Sequence, residues 1–303
     1  MSMENIVELL KETLEKKTGK EVIVNKTIKN NGLTLTGITI RDDNTNMTPV
    51  IYVNEYINNL EDYESIDNIA DIIIERNNSY KVDKSVDFSW FSNFNKVKDK
   101  LMFKLVNYSE NEEMLKGMPY TRFLDLAKVY YAKVKLDDSA GTVNILNKHL
   151  EIWGVSTEEL DKIADENTPK ELPARVDDIS NVIRRMAVRM GYDDKYIEEV
   201  LEVQQKEQSK SMYVMSNPEK TYGAAVLCYQ DAIRRFAEEK DTDLAIIPSS
   251  VHELILVTDV SADTIIQLKI MVKEVNETEL SKDEFLSNSI YVYCRKADRI
   301  VNI

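Results

Sequence analysis

The first forty residues contain two patterns of apolar and polar positions, and the two patterns differ in their spacing. Over residues 3–18, apolar side chains recur every three or four positions, which is the spacing of a helix with one buried face, and Gly19 supplies a stop. Residues 21–40 instead alternate between apolar and polar positions in two runs. The runs are separated by Asn30-Asn31-Gly32, a combination that favours a tight turn. The pattern therefore predicts a helix followed by a β-hairpin.

The middle of the chain carries less regular patterns. Residues 49–57 favour a strand, and residues 65–80 favour an amphipathic helix. Residues 96–108 fit a helix, a strand, or one followed by the other. Residues 120–136 are rich in aromatic and β-branched side chains, and we expect them to form one long strand.

The second half alternates helices and strands. Ser156 and Glu159 form a capping box that starts a helix, which we expect to end before Pro169. Beyond it, the patterns predict helical segments over 177–209, a strand over 211–217, a helix over 222–240, strands over 243–248 and 252–257, helices over 261–277 and 281–287, and a strand over 289–294. This order is typical of an α+β fold with mixed or antiparallel sheets and packed helices. We expect two αβ subdomains, residues 1–138 and residues 139–303.

The net charge of the chain limits the classes of partner that we expect it to bind. The chain has 53 acidic and 39 basic residues, which gives a net charge of −14. A protein that binds a nucleic-acid duplex needs a positive surface, so we expect no direct nucleic-acid binding. Mimicry of a nucleic acid by an inhibitor is a less favoured interpretation. The acidity favours solubility and attraction to a basic partner.

The surroundings of the cysteines and the lengths of the apolar runs predict the cellular compartment of the protein. Cys228 and Cys294 lie in apolar surroundings, and the first residues of the sequence do not have the pattern expected of a signal peptide. No apolar run approaches the roughly 18 residues that a membrane span requires. We therefore expect reduced thiols in a cytoplasmic protein that does not enter a membrane.

The stretch IIPSSVHELILV, residues 246–257, holds the strongest candidate chemistry. A zinc site of the His-Glu-x-x-His type is disfavoured, because His252 and Glu253 lack the second histidine. In an extended chain Ser250 and His252 point to one face and Glu253 to the other, so a Ser–His pair could act as nucleophile and base. The glycines of a nucleophile elbow are absent. A hairpin corner between two apolar strands is the favoured interpretation.

Other polar positions favour structural roles. Gly223 follows a predicted strand, where a helix start could hold an anion, but with two alanines after it close packing is favoured. His149 and Trp153 share a helix face at i and i+4, which predicts a structural contact. Paired carboxylates are expected in solvated turns; they are Asp42-Asp43, Asp137-Asp138 and Asp177-Asp178.

Several stretches, taken in order, resemble the DUF5688 family of Firmicutes. They are KNNGLTLTGITI, PVIYVNEYI, LVNYSENEEMLKGMPYTRFLDLAKVYY, HLEIWGVSTEELDKIADENTPKELP, MYVMSNPEKTYGAAVLCY and DLAIIPSSVHELILV. The second half is more distantly similar to the DUF1444 (UPF0354) family. The resemblance implies a bacterial, gut-associated or mobile-element setting. Both families are of unknown function, so it implies no catalytic, cofactor-binding or metal-binding residues.

Three hypotheses about function follow. The favoured one is a non-enzymatic, acidic interaction module without a cofactor, steered to a basic protein partner and carried on a mobile element. The first alternative is a hydrolase that uses Ser250 and His252. The second is a small-ligand-binding module with a cleft between its halves near residues 135–145. The sequence leaves the oligomeric state open.

Overall fold

The structure is a computed structural model that describes residues 2–43, 45–80, 87–136, 139–207 and 212–303. These residues form two compact units, Met1–Phe91 and Ser92–Ile303. The boundary expected from sequence, between residues 138 and 139, lies within the second unit. The strands on either side of it pair with each other, Leu136 opposite Ser139.

The first unit packs helices against a three-stranded sheet of order β1-β2-β3. Its elements, in chain order, are α1 (Met3–Thr18), β1 (Val22–Ile28), β2 (Thr34–Ile40), β3 (Ile51–Tyr52), α2 (Asn54–Asn58) and α3 (Ile66–Ser79). The predicted hairpin is confirmed: β1 and β2 pair antiparallel, and Asn31 and Gly32 take left-handed backbone angles in the turn. Residues 49–57, predicted as a strand, instead contain a two-residue strand followed by a short helix.

The core of the first unit joins α1, α3 and the sheet. Leu10 and Leu14 on α1, Ile69 and Ile73 on α3, and Ile38 on β2 are fully buried. The predicted helical spacing of α1 and α3 is therefore the spacing of their buried faces.

The second unit contains two antiparallel sheets. Its elements are α4 (Phe94–Val97), β4 (Leu101–Asn107), α5 (Glu112–Leu115), β5 (Tyr120–Phe123), β6 (Leu126–Leu136), β7 (Ser139–Asn144), α6 (Asn147–Trp153), α7 (Thr157–Glu171), β8 (Arg175–Asp178), α8 (Ile179–Arg189), α9 (Asp194–Glu207), β9 (Met212–Ser216), α10 (Gln230–Glu239), β10 (Leu244–Ser250), β11 (Glu253–Val257), α11 (Ala262–Thr278), β12 (Tyr291–Cys294) and β13 (Arg299–Asn302).

The two sheets of this unit differ in how their strands are ordered. In the four-stranded sheet, β6 pairs with β4 along one edge and with β5 and then β7 along the other. The six-stranded sheet has the order β13-β12-β10-β11-β9-β8. The strand pairs in the described parts of the chain are antiparallel, which confirms the α+β class.

The long strand predicted over residues 120–136 is wrong. The segment forms two antiparallel strands, β5 and β6, with a turn at Leu124 and Asp125. Leu124 takes a left-handed conformation (φ 56°), which leucine rarely adopts, so the apolar run gave no sign of the turn. The Asp125 carboxylate accepts hydrogen bonds from Ser287 Oγ (2.6 Å) and Tyr291 OH (2.7 Å), which fixes the turn to the segment entering β12.

Two helix predictions are also corrected. α7 continues through Pro169 to Glu171, although proline has no N–H to donate to the preceding turn; the helix closes where the Leu172 N–H donates to Thr168 O (2.8 Å). Residues 281–287 do not form a helix; Glu284 N and Phe285 N donate to Ser281 O in a single turn. Residues 96–108 take the third option that their pattern allowed, a short helix followed by β4.

Candidate functional site

The corner of the β10–β11 hairpin holds Ser250 and His252 in a turn. β10 and β11 pair antiparallel, so the favoured hairpin is confirmed. The Ser250 hydroxyl accepts a hydrogen bond from the backbone N–H of His252 (3.0 Å). Glu253 lies opposite Ser250 in the strand register and is half-buried. The Ser250 hydroxyl thus closes the turn backbone, as serine often does.

The His252 imidazole is engaged away from Ser250. Its Nδ1 accepts a hydrogen bond from the backbone N–H of Tyr222 (3.2 Å), and its ring stacks on the Tyr222 ring at an interplanar angle of 15°. Its Nε2 lies 3.7 Å from a carboxylate oxygen of Glu284. A base that activates a serine must have a ring nitrogen within reach of the hydroxyl, and both nitrogens here face other groups. This geometry does not favour the nucleophile hypothesis for Ser250 and His252.

The junction after β9 packs tightly against this corner. A Cβ added at Gly223 would collide with Ser216 Oγ and with the carbonyl oxygen of His252. Ala224 and Ala225 are buried beside it. Gly223 therefore serves close packing, although the segment Gly223–Cys228 is a 3₁₀ turn rather than the expected start of an α-helix.

The remaining sequence candidates have local structural contacts. His149 lies on α6 with its ring 5.7 Å from that of Trp153, and its Nδ1 accepts from the backbone N–H of Leu146 (3.0 Å). Burial lowers the pKa of His149, and Lys148 lowers it further. These contacts are those of a helix cap and a packed ring pair.

Two of the carboxylate pairs depart from the expected solvated turns, because Asp42 is buried and because Asp177 and Asp178 are the last two residues of strand β8. Asp42 is buried, with Lys20 Nζ 3.3 Å from its carboxylate. Asp177 pairs with Arg185 (2.7 Å), and Asp178 caps α8 by accepting from Ser180 N (2.8 Å). The pair at 137–138 lies outside the described residues.

A buried polar network that sequence reasoning missed joins β6 to α7. Lys128, only 6% exposed, extends from β6 between two carboxylates of α7. Its Nζ lies 2.6 Å from an oxygen of Asp161 and 2.6 Å from an oxygen of Asp165. The Tyr130 hydroxyl donates to the same Asp161 oxygen (2.6 Å), and Thr121 Oγ1 lies 2.7 Å from that hydroxyl.

The protonation of this network is set by burial and by its hydrogen bonds. Burial lowers the pKa of Lys128, but the hydrogen bonds to Asp161 and Asp165 outweigh it, so the pKa lies above its usual value. Burial raises the pKa of Asp165 against the opposing effect of Lys128. Burial, together with the hydrogen bond to Asp161, raises the pKa of Tyr130. At neutral pH the network therefore holds a charged ammonium group and a neutral phenol, with neither acting as a base.

Beside this network runs a groove of about 890 Å³ with an aromatic floor and a charged rim. Its aromatic residues come from four elements or junctions; they are Phe103, Tyr213, Tyr229 and Phe236. Its carboxylates are Asp165, Asp178, Asp231 and Glu239, against the two basic side chains Arg235 and Lys240. We call this feature the aromatic groove. Burial raises the pKa of the Cys228 thiol in its wall, so this thiol is a poor nucleophile.

A second groove, of about 600 Å³, lies between α7 and β5, where Tyr120 and Thr121 line it. Its charged residues are Glu158, Asp161, Asp165 and Glu166, with Lys162. We call it the α7 groove. Asp165 lines both grooves, so they adjoin at this residue, and in each groove the carboxylates outnumber the basic side chains.

The sequence held a partial signal for this site. Asp161 and Asp165 are four residues apart and share a helix face, and Lys128 and Tyr130 are two apart and share a strand face. Periodicity thus gives each half of the network. Periodicity does not predict that the two halves contact each other, because that contact depends on how α7 lies across β6.

Two further properties bear on the site. Within the described ranges, no group of three or more His, Cys, Asp or Glu residues is arranged to hold a metal ion. No helix in the described part of the chain combines the length and the apolar character that crossing a bilayer requires.

The chain was compared with protein families, curated proteins and solved structures. Residues 3–295 match the model of a family of unknown function (DUF5688). No curated protein matches the chain, and neither does any solved structure.

Proposed function

The chain belongs to the DUF5688 family, whose function is unknown, and from the geometry of its two grooves we propose that it is an interaction module for a basic protein partner. The supporting observation is the excess of carboxylates over basic side chains in both grooves, which adjoin at Asp165. Carboxylates attract lysine and arginine, and an aromatic floor supplies apolar and cation–π contacts for their side chains.

The charge of the whole chain supports the same proposal. A net charge of −14 attracts a basic protein over distances of about 10 Å at moderate salt and raises the rate of encounter. Long-range attraction alone gives no defined binding place. The two grooves supply one, because they combine charge with a concave, partly apolar surface.

Binding of a labelled basic peptide tests this proposal. Fluorescence anisotropy with nona-arginine at 50 mM salt is expected to show saturable binding that weakens strongly at 500 mM salt. The double substitution Glu158→Gln and Glu166→Gln, which removes two charges from the α7 groove, is expected to weaken binding about tenfold.

A matched control separates the groove from the total charge. Glu274→Gln with Glu277→Gln removes two charges from α11, and Glu277 pairs with Lys273 at i+4 much as Glu166 pairs with Lys170. Both double variants have the same net charge, so the control is expected to change affinity by less than about twofold. Equal losses in both variants, or no binding by the wild type, would contradict the proposal.

A further inference from the structure

One corner of the aromatic groove already holds a cation. Lys240, the residue directly after α10, places its Nζ 4.7 Å from the centre of the Tyr213 ring and 5.3 Å from that of Phe236. The two rings meet at an angle of 73° with their centres 5.0 Å apart, so they form two walls of a corner. Glu239 supplies an oxygen 3.0 Å from the same Nζ.

These contacts are the ones that recognise a cationic side chain. Two ring faces attract an ammonium or guanidinium group through their quadrupoles, and a carboxylate adds charge and a hydrogen-bond acceptor. The hydrogen bond that Lys240 donates to Glu239 raises the pKa of Lys240; burial opposes this effect and Tyr213 adds to it, so the group is charged at neutral pH. The corner is thus a complete cation site made by Tyr213, Phe236 and Glu239.

Lys240 is held there by contacts that can be exchanged. Its carboxylate partner Glu239 has a side chain that is 67% exposed, and the Lys240 side chain itself is 27% exposed. A lysine stem is flexible, and an exposed ion pair contributes little free energy. The cost of moving Lys240 into solvent is therefore small compared with a buried salt bridge such as that of Lys128.

We propose that this corner is a binding site for a lysine or arginine side chain of the basic partner, and that Lys240 is an intramolecular substitute that the partner displaces. This inference rests on the proposed function. It adds a specific position in the aromatic groove and a contact within the chain that weakens binding until it is displaced.

Removal of Lys240 is expected to strengthen binding. Lys240→Gln frees the ring faces and removes one positive charge, and we expect it to bind nona-arginine about tenfold more tightly than the wild type. Arg235→Gln is the matched control: Arg235 lines the same groove and carries the same charge, but its side chain is 78% exposed and pairs with Asp231 at 3.9 Å. The control is expected to strengthen binding by about twofold, through charge alone.

A change in the rings supplies the second arm. Phe236→Leu in the Lys240→Gln background keeps an apolar side chain but removes one ring face, and it should return the affinity to about the wild-type value. Thermal unfolding of each variant shows whether it is folded. If Lys240→Gln and Arg235→Gln strengthen binding equally, or if the ring change has no effect in a folded variant, the cation site is wrong while the proposed function stands. If the wild type does not bind nona-arginine, both fail.

Discussion

At the scale of single residues, the acidic surface depends on how one buried lysine is neutralised. Lys128 places a positive charge beneath α7, and Asp161 and Asp165, on consecutive turns of that helix, form ion pairs with it. The side chain of Asp161 is 21% exposed and that of Asp165 49% exposed, so the carboxylates reach from the interior to the groove surface. The network therefore links the stability of α7 to the charge of the site.

Substitution of Lys128 by methionine is expected to destabilise the second unit by about 3 kcal/mol. The change keeps the length of the side chain but leaves two carboxylates facing each other without their cation, and partly buried unpaired charges are costly. Urea unfolding followed by circular dichroism measures the loss.

Lys133→Met is the control for this substitution. Lys133 pairs with Glu219, but their side chains are 29% and 49% exposed, so the loss should be below about 1 kcal/mol. A Lys128→Met variant that is as stable as this control would show that the network does not anchor α7.

Residue-scale prediction from sequence succeeded where the chemistry is local. The hairpin corner of Ser250 and His252 could be predicted because the turn residues and the strands that flank them are contiguous. The partners of His252 could not, because Tyr222 and Glu284 approach it from segments about thirty residues away on either side along the chain. The Lys128 network escaped prediction for the same reason.

At the scale of elements, close approaches of backbone fix how segments cross. Gly223 lies where the chain leaving β9 passes the β10–β11 corner, with Ser216 Oγ and the His252 carbonyl oxygen occupying the space of a side chain. The Ser216 hydroxyl donates to that same carbonyl oxygen (2.7 Å). A single added carbon there must displace backbone atoms of the neighbouring turn.

Replacing Gly223 with alanine is therefore expected to cost about 2 to 3 kcal/mol. The comparison is Gly117→Ala: a Cβ at Gly117 meets only Met114 O, at an ordinary 3.7 Å. That change should leave stability within about 1 kcal/mol of the wild type. The difference in melting temperature between the two alanine variants measures the destabilisation caused by the clash at Gly223. Equal melting temperatures would contradict the expected clash.

Element boundaries could be predicted where glycine or asparagine marked a turn and failed where an apolar residue did. The residues Asn30-Asn31-Gly32 predicted the turn of the β1–β2 hairpin. Leu124 takes a comparable left-handed conformation inside an apolar run, and the bonds that Asp125 accepts from Ser287 and Tyr291 come from distant sequence. The strain at such a position is compensated by tertiary contacts that periodicity does not contain.

At the scale of the whole molecule, both grooves lie within the second unit. The residues of the aromatic groove and of the α7 groove fall between Phe103 and Lys240, and three buried clusters among the described residues consist of residues of this unit. Each unit thus has apolar clusters of its own, which is the property expected of a domain.

A fragment of residues 92–303 is accordingly expected to fold and to bind nona-arginine with an affinity within about threefold of the full chain. Circular dichroism and anisotropy at 50 mM salt measure the two properties. Folding with loss of binding would assign part of the site to residues 1–91, and failure to fold would show that the two units are not independent.

The most direct test of the acidic grooves as the partner site is where a bound peptide protects the backbone. Hydrogen–deuterium exchange of the full chain with saturating nona-arginine is predicted to slow exchange in α7, β8, β9 and α10, and to leave β1, β2 and α11 unchanged. Slowed exchange spread evenly over the acidic surface, or confined to elements that line neither groove, would contradict the placement of the partner site in these grooves.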